Sequence, residues 1–187
     1  MKRLWLTILL PLTAAAHPMP SVGDFYAGML HPIVALDQLL PILALSVLAA
    51  QQGKRAARQL LATLPLAIVV GAAASPALSN THFLGAVPLG ATVALGLLAA
   101  FDKPVSRFAI VPIAAVAGLC IGAANTLDTG TQVSFIRFTA GMALAGLLLS
   151  AYLTVAIQKL FAIRAPVAVR VTGSWLAAVG IMTLALK

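Results

Sequence analysis

Imidazole nitrogens and carboxylate oxygens bind divalent cations, and this chain places one of each in a single apolar run. His31 and Asp37 stand within Leu30-His31-Pro32-Ile33-Val34-Ala35-Leu36-Asp37-Gln38-Leu39-Leu40-Pro41. An ionisable group in a segment long enough to span a bilayer is costly and by default marks a functional site. The 187 residues include only four acids, so the position of each is informative. On a continuous helix, residues seven apart point almost the same way. The spacing therefore predicts that His31 and Gln38 share a face, with Asp37 offset from Gln38 by about 100°. Pro41 cannot donate to the carbonyl of Asp37, four residues earlier, which could present that oxygen to an ion beside the carboxylate. The structural alternative is that His31 caps a helix starting at Pro32, with Asp37 paired to Arg137 or to a backbone amide.

Other candidate donors lie near the ends of apolar runs. Cleavage after Ala16 would make His17 a terminal residue whose amine and imidazole can chelate a metal together. Pro18 has no N–H to ionise as a further ligand, and Met19 adds a soft donor that suits copper better than nickel. The alternative is an ordinary frayed terminus. Asn125 and Asp128, three apart, are neighbours if the helix ending at Ala124 continues. Facing His31 and Asp37, they would complete a mixed nitrogen and oxygen site. Otherwise they form a polar cap with a turn at Asp128-Thr129-Gly130. His82 opens an apolar run and reads either as an interfacial residue or as a further ligand.

The elements that must hold these groups are membrane helices. Hydrophobic residues make up 61% of the chain and charged residues 9%, against about 25% charged in a soluble domain. Mean hydropathy is +1.05. Residues 1–16 have the layout of a secretory leader: basic Lys2 and Arg3, a short apolar core from Leu4 to Leu12, and small residues at Ala14-Ala15-Ala16. Residues 17–187 then form one domain with apolar runs near 28–50, 59–76, 83–101, 107–124, 134–157 and 167–186, each close to the ~20 residues of a span. The expected fold is an all-α polytopic membrane bundle of six transmembrane helices after a cleaved signal peptide. Gly118, Gly122 and Ala123 allow close helix approach. Gly71, Gly85, Gly90, Gly96, Gly141, Gly146 and Gly180 read as packing positions.

The charges orient the bundle. With the mature N-terminus outside, the gaps at 51–58, 102–106 and 158–166 are cytoplasmic. Lys54, Arg55, Arg58, Lys103, Arg107, Lys159, Arg164 and Arg170 lie in or beside them, eight of the ten basic residues after the leader. This satisfies the positive-inside rule and predicts both mature termini in the periplasm of a bacterial inner membrane. Asp24, Asp37 and Asp128 fall towards the outer side with His17, His31 and His82. The formal charge of +8 forms no basic stripe with interleaved aromatics, so no nucleic-acid partner is expected. Cys120 is single, which leaves no disulfide framework or CxxC site. No Ser/His/Asp set or haem motif supports an enzyme.

These residues carry a resemblance over nearly the whole chain to the HupE/UreJ family of hydrogenase- and urease-associated nickel permeases. The first-span signature is similar to H-P-x-x-G-x-D-H. His31, Pro32 and Asp37 match it, Ala35 stands for the glycine and Gln38 for the second histidine. A fourth-span stretch similar to H-G-x-A-H-G-x-E aligns with Ile121, Gly122, Ala124, Asn125 and Asp128. The resemblance implies a secondary permease that passes nickel or cobalt inward past His17, His31, Asp37, Gln38, Asn125 and Asp128. It implies no permanently bound cofactor, and partners among urease or hydrogenase maturation proteins. The replaced histidines leave two other readings open, a non-transporting accessory protein with a degraded site and a copper-handling membrane protein.

Overall fold

The computed structural model describes residues 23–78, 84, 86–102, 105–106, 108–128, 133–162 and 166–186. Among them every regular element is a helix: α1 (Asp24–Val34), α2 (Leu36–Gln51), α3 (Lys54–Leu78), α4 (Ala86–Ala100), α5 (Ile110–Asp128), α6 (Phe135–Ala162) and α7 (Pro166–Ala185). The apolar runs at 59–76, 83–101, 107–124, 134–157 and 167–186 each contain one helix. The run at 28–50 contains two.

That division corrects the expected first span. The helix starts at Asp24 and stops at Ala35, whose φ of −86° and ψ of 105° are extended, and α1 and α2 meet at 70°. Pro32 and Pro41 bracket the break, and each removes one rung of the i to i−4 ladder. The Ala35 amide still closes α1 on the His31 carbonyl, at 3.0 Å. The Gln38 and Leu39 amides then both turn to the Ala35 carbonyl, at 3.0 and 2.9 Å, and begin α2. Ala35 thus ends one helix and starts the next. Pro41 itself sits inside α2 without breaking it.

α2 is the centre of the bundle. After Asp37 its sequence is apolar nearly all round, and Leu40 to Ala50 are buried apart from Leu43, as expected for a helix enclosed by others. It contacts each of the other six helices. In a bilayer the surrounding lipid is as apolar as a leucine, so burial alone contributes little and close packing decides which helices meet. The most extensive contact, α3 on α5, shows how. A Cβ on Gly122 would lie 2.1 Å from the Ile68 carbonyl oxygen, and one on Gly71 would lie 2.2 Å from that of Leu119. Only glycine fits at either position. Gly28 and Gly141 serve α1 and α6 in the same way, against Phe138 and Phe25. Gly90 departs from expectation: a Cβ there meets nothing within 4 Å, so it is not a packing glycine.

The outer surfaces are apolar. Leu66, Val69 and Val70 on α3, Leu148, Tyr152 and Val155 on α6, and Val171, Trp175 and Met182 on α7 are all exposed. A monomer in water rarely exposes so much apolar area; lipid is the solvent that suits it. Lys54–Leu78, Phe135–Leu160 and Val167–Ala185 are long and apolar enough to cross a membrane, and the bent pair α1 and α2 makes a fourth span if counted as one. Ala86–Ala100 and Ile110–Asn125 are apolar but shorter. By length and composition three of the described helices, or four counting the bent pair as one, qualify as spans. The α2–α3 turn is only Gln52 and Gly53, the latter at φ 94°, where glycine avoids strain. The C-terminal end of α4 is held by Gln51 Nε2 on the Ala99 carbonyl and Arg170 Nε on the Ala100 carbonyl, both at 2.9 Å.

Candidate functional site

The break at Ala35 lies between two of the candidate residues. His31 is in the last turn of α1, Asp37 is in the first turn of α2, and both are partly buried. A carboxylate in the first turn of a helix is favoured by the positive end of the macrodipole. His31 therefore does not cap a helix beginning at Pro32, since α1 already runs for two turns before it. Nor do His31 and Gln38 share a helical face. The seven-residue relation applies only to an unbroken helix, and the 70° bend lies between them.

What the bend does instead is direct Gln38 across the bundle. Gln38 is 6% exposed and donates from Nε2 to Oδ1 of Asn125, which is 4% exposed, on α5. Asn125 donates in turn from Nδ2 to the Ile121 carbonyl at 2.8 Å and to the Met142 sulfur of α6 at 3.1 Å. α5 continues as helix past Ala124, as the neighbour reading of Asn125 and Asp128 requires, and ends at Asp128, whose side chain lies outside the described set. On α6, Phe138 lies one turn before Met142 and meets the His31 ring edge-on, with centroids 5.7 Å apart. One face of α6 thus touches α1 through Phe138 and α5 through Met142.

The chemistry of this junction is largely neutral. Two amides and a thioether form its buried part, with the His31 imidazole and the Asp37 carboxylate at the break beside it. Among the described residues no group of three or more His, Cys, Asp or Glu side chains could hold a metal. Gln38 Oε1 and Thr139 Oγ1 are buried with no hydrogen-bond partner among the described residues. Met142 and Thr139 were not anticipated from sequence. A methionine and a threonine in a long apolar helix resemble ordinary packing residues until their neighbours are known. Residues 1–16, His17, Met19, His82, Gly85, Thr129 and Gly130 lie outside the described residues.

Asp24 has a structural role. Its Oδ2 accepts the Ser134 amide at 3.0 Å and ties the start of α1 to the start of α6. That contact, with Gly28 and Gly141 behind it, fixes α1 on α6 and so sets where His31 stands.

A family model described as HupE / UreJ protein matches residues 4–183. No curated protein and no solved structure matches the chain. The family is membrane-associated, is connected with nickel and cobalt transport for hydrogenase and urease, and consists of transporters and accessory proteins. The match extends from the N-terminal apolar segment into the last turn of α7 and includes the break at Ala35 and the Gln38–Asn125 contact. The chain belongs to the HupE / UreJ family.

Proposed function

We propose that this chain is a secondary permease for a divalent transition metal ion, nickel or cobalt, which it takes inward from the periplasmic side of a bacterial inner membrane. The observation that carries the reading is the helix break at Ala35, with His31 on one side and Asp37 on the other. Discontinuous helices in transporters expose backbone dipoles and carbonyls at the point where substrate binds, and irregular backbone is tolerated at membrane depth only where protein or a water-filled cavity covers it. The six-span arrangement with both mature termini outside accompanies this reading. It treats α1 with α2 as one span and α4 and α5 as short ones. A C-terminal reporter active only in the periplasm tests the topology, and a cytoplasmic C-terminus would overturn it.

One observation favours a second reading, a non-transporting accessory subunit for urease or hydrogenase maturation. Gln38 donates to Asn125 where the family signatures carry histidine, and an amide pair in place of two imidazoles is the expected state of a site no longer used for metal. Uptake separates the two. Cells expressing the full chain should accumulate nickel or cobalt above vector controls, with copper and zinc run alongside. No accumulation of any of the four metals would leave the accessory reading.

A further inference from the structure

We infer that Met142 is a thioether donor at the junction of α2, α5 and α6, and that it biases the site towards borderline and soft cations over hard ones. The inference rests on the permease reading and extends it to a residue that neither family signature contains. Met142 is fully buried, and its sulfur lies 3.1 Å from Asn125 Nδ2. Two buried oxygens without partners among the described residues belong to residues linked to it, one through Asn125 and one along α6. One is Oε1 of Gln38, whose own Nε2 is already committed to Asn125. The other is Oγ1 of Thr139, three residues before Met142 on α6 and so on an adjacent part of the same surface.

An unpartnered buried acceptor costs free energy and calls for an explanation, an ion among them. Two such oxygens, on the residue that bonds Asn125 and on the turn of α6 before Met142, offer with the sulfur a set of neutral donors to which a cation can bind. Nothing in the set is a nitrogen base or a carboxylate. Oxygen donors alone suit magnesium, calcium and manganese, whereas thioether sulfur favours softer metals. The sulfur is thus the member of the set that can discriminate. While the site is closed it accepts the Asn125 amide; when a cation binds, Asn125 Nδ2 keeps the Ile121 carbonyl and releases the sulfur.

The test is metal binding to the purified full chain in detergent, followed by X-ray absorption at the nickel edge. The chain has five methionines and one cysteine, so Cys120→Ala is used as the background. With Ni2+ bound, a sulfur neighbour is expected, and Met142→Leu should remove it. The same substitution should lower the preference for Ni2+ over Mn2+ by about tenfold, the scale on which single changes around a metal act. Met182→Leu, at an exposed position on α7, should change neither. Leucine for methionine conserves volume and is well tolerated in cores. Should Met142→Leu nonetheless fail to fold, selenomethionine-labelled protein read at the selenium edge should still show nickel as a neighbour. A nickel site without sulfur, sulfur retained in Met142→Leu, unchanged Mn2+ competition, or no nickel bound would each overturn the inference. Binding with a sulfur neighbour but no uptake in cells would overturn the permease reading and leave this inference standing.

Discussion

Gln38 and Asn125, 87 positions apart in the chain, hydrogen-bond to each other in the buried centre of the bundle. The bond is unevenly shared. Asn125 has all its polar atoms engaged, whereas Gln38 keeps Oε1 without a partner. The two ends of the pair should therefore respond differently to removal.

Asn125→Leu leaves both polar atoms of Gln38 buried and unpaired, at a cost of about 1–3 kcal/mol for each stranded group. Gln38→Leu strands only Asn125 Oδ1 and at the same time removes the unpaired Oε1, so it should be the milder change. Gln38→Leu with Asn125→Leu should be less destabilising than Asn125→Leu alone, because it leaves no stranded partner. The coupling expected for residues in contact is about 0.5–3 kcal/mol. Unfolding in detergent measures all three variants, and strictly additive losses would count against the pair.

Asp37 provides the electrostatic test. Asp37→Asn keeps the volume and removes the charge. Its structural cost includes the macrodipole contribution of about 0.3–1 kcal/mol at a first-turn position. Metal uptake should fall by about tenfold or more while expression and insertion match wild type. Uptake equal to wild type would show that the carboxylate does not face the ion.

How much of this was legible in the sequence depends on the kind of signal. The all-α membrane class followed from composition, and the family from His31, Pro32 and Asp37. Gln38 and Asn125 stand out in the sequence as replacements within the signatures, but their contact does not, because nothing in either local pattern specifies a partner on another helix. The break at Ala35 was hidden for a different reason. Alanine is the best helix former, and an extended φ/ψ leaves no mark that glycine or a positive φ would leave. Two prolines signalled an interruption, and Pro41 drew attention to the carbonyl of Asp37, whereas the chain breaks between Pro32 and Pro41. Arg170 shows the reverse case: its sequence position marks an orienting charge, and it also caps α4, donating from Nε to the Ala100 carbonyl at 2.9 Å.

Glycine substitutions test the packing that holds the site in place. Gly122→Ala puts a Cβ 2.1 Å from the Ile68 carbonyl oxygen, so α3 and α5 must separate, at a cost of about 1–3 kcal/mol. Gly90→Ala meets nothing within 4 Å and should stabilise α4 by about 0.5–1 kcal/mol. Thermal unfolding in detergent should move in opposite directions for the two. A Gly122→Ala protein as stable as wild type would mean that α3 and α5 leave room for a Cβ at this position.

The last prediction restores imidazole at the two amide positions. Gln38→His alone places a nitrogen donor beside Asp37 and still leaves a ring N–H able to reach Asn125 Oδ1. It should raise nickel binding or uptake, since imidazole binds nickel better than an amide oxygen does. Gln38→His with Asn125→His removes the amide bond altogether and supplies two imidazoles across the same α2–α5 contact, so its gain should exceed that of the single change. Cobalt should follow nickel, and magnesium should not. If both variants fold, insert and bind nickel no better than wild type, the α2–α5 contact does not face the ion, and His31 and Asp37 would have to act without it.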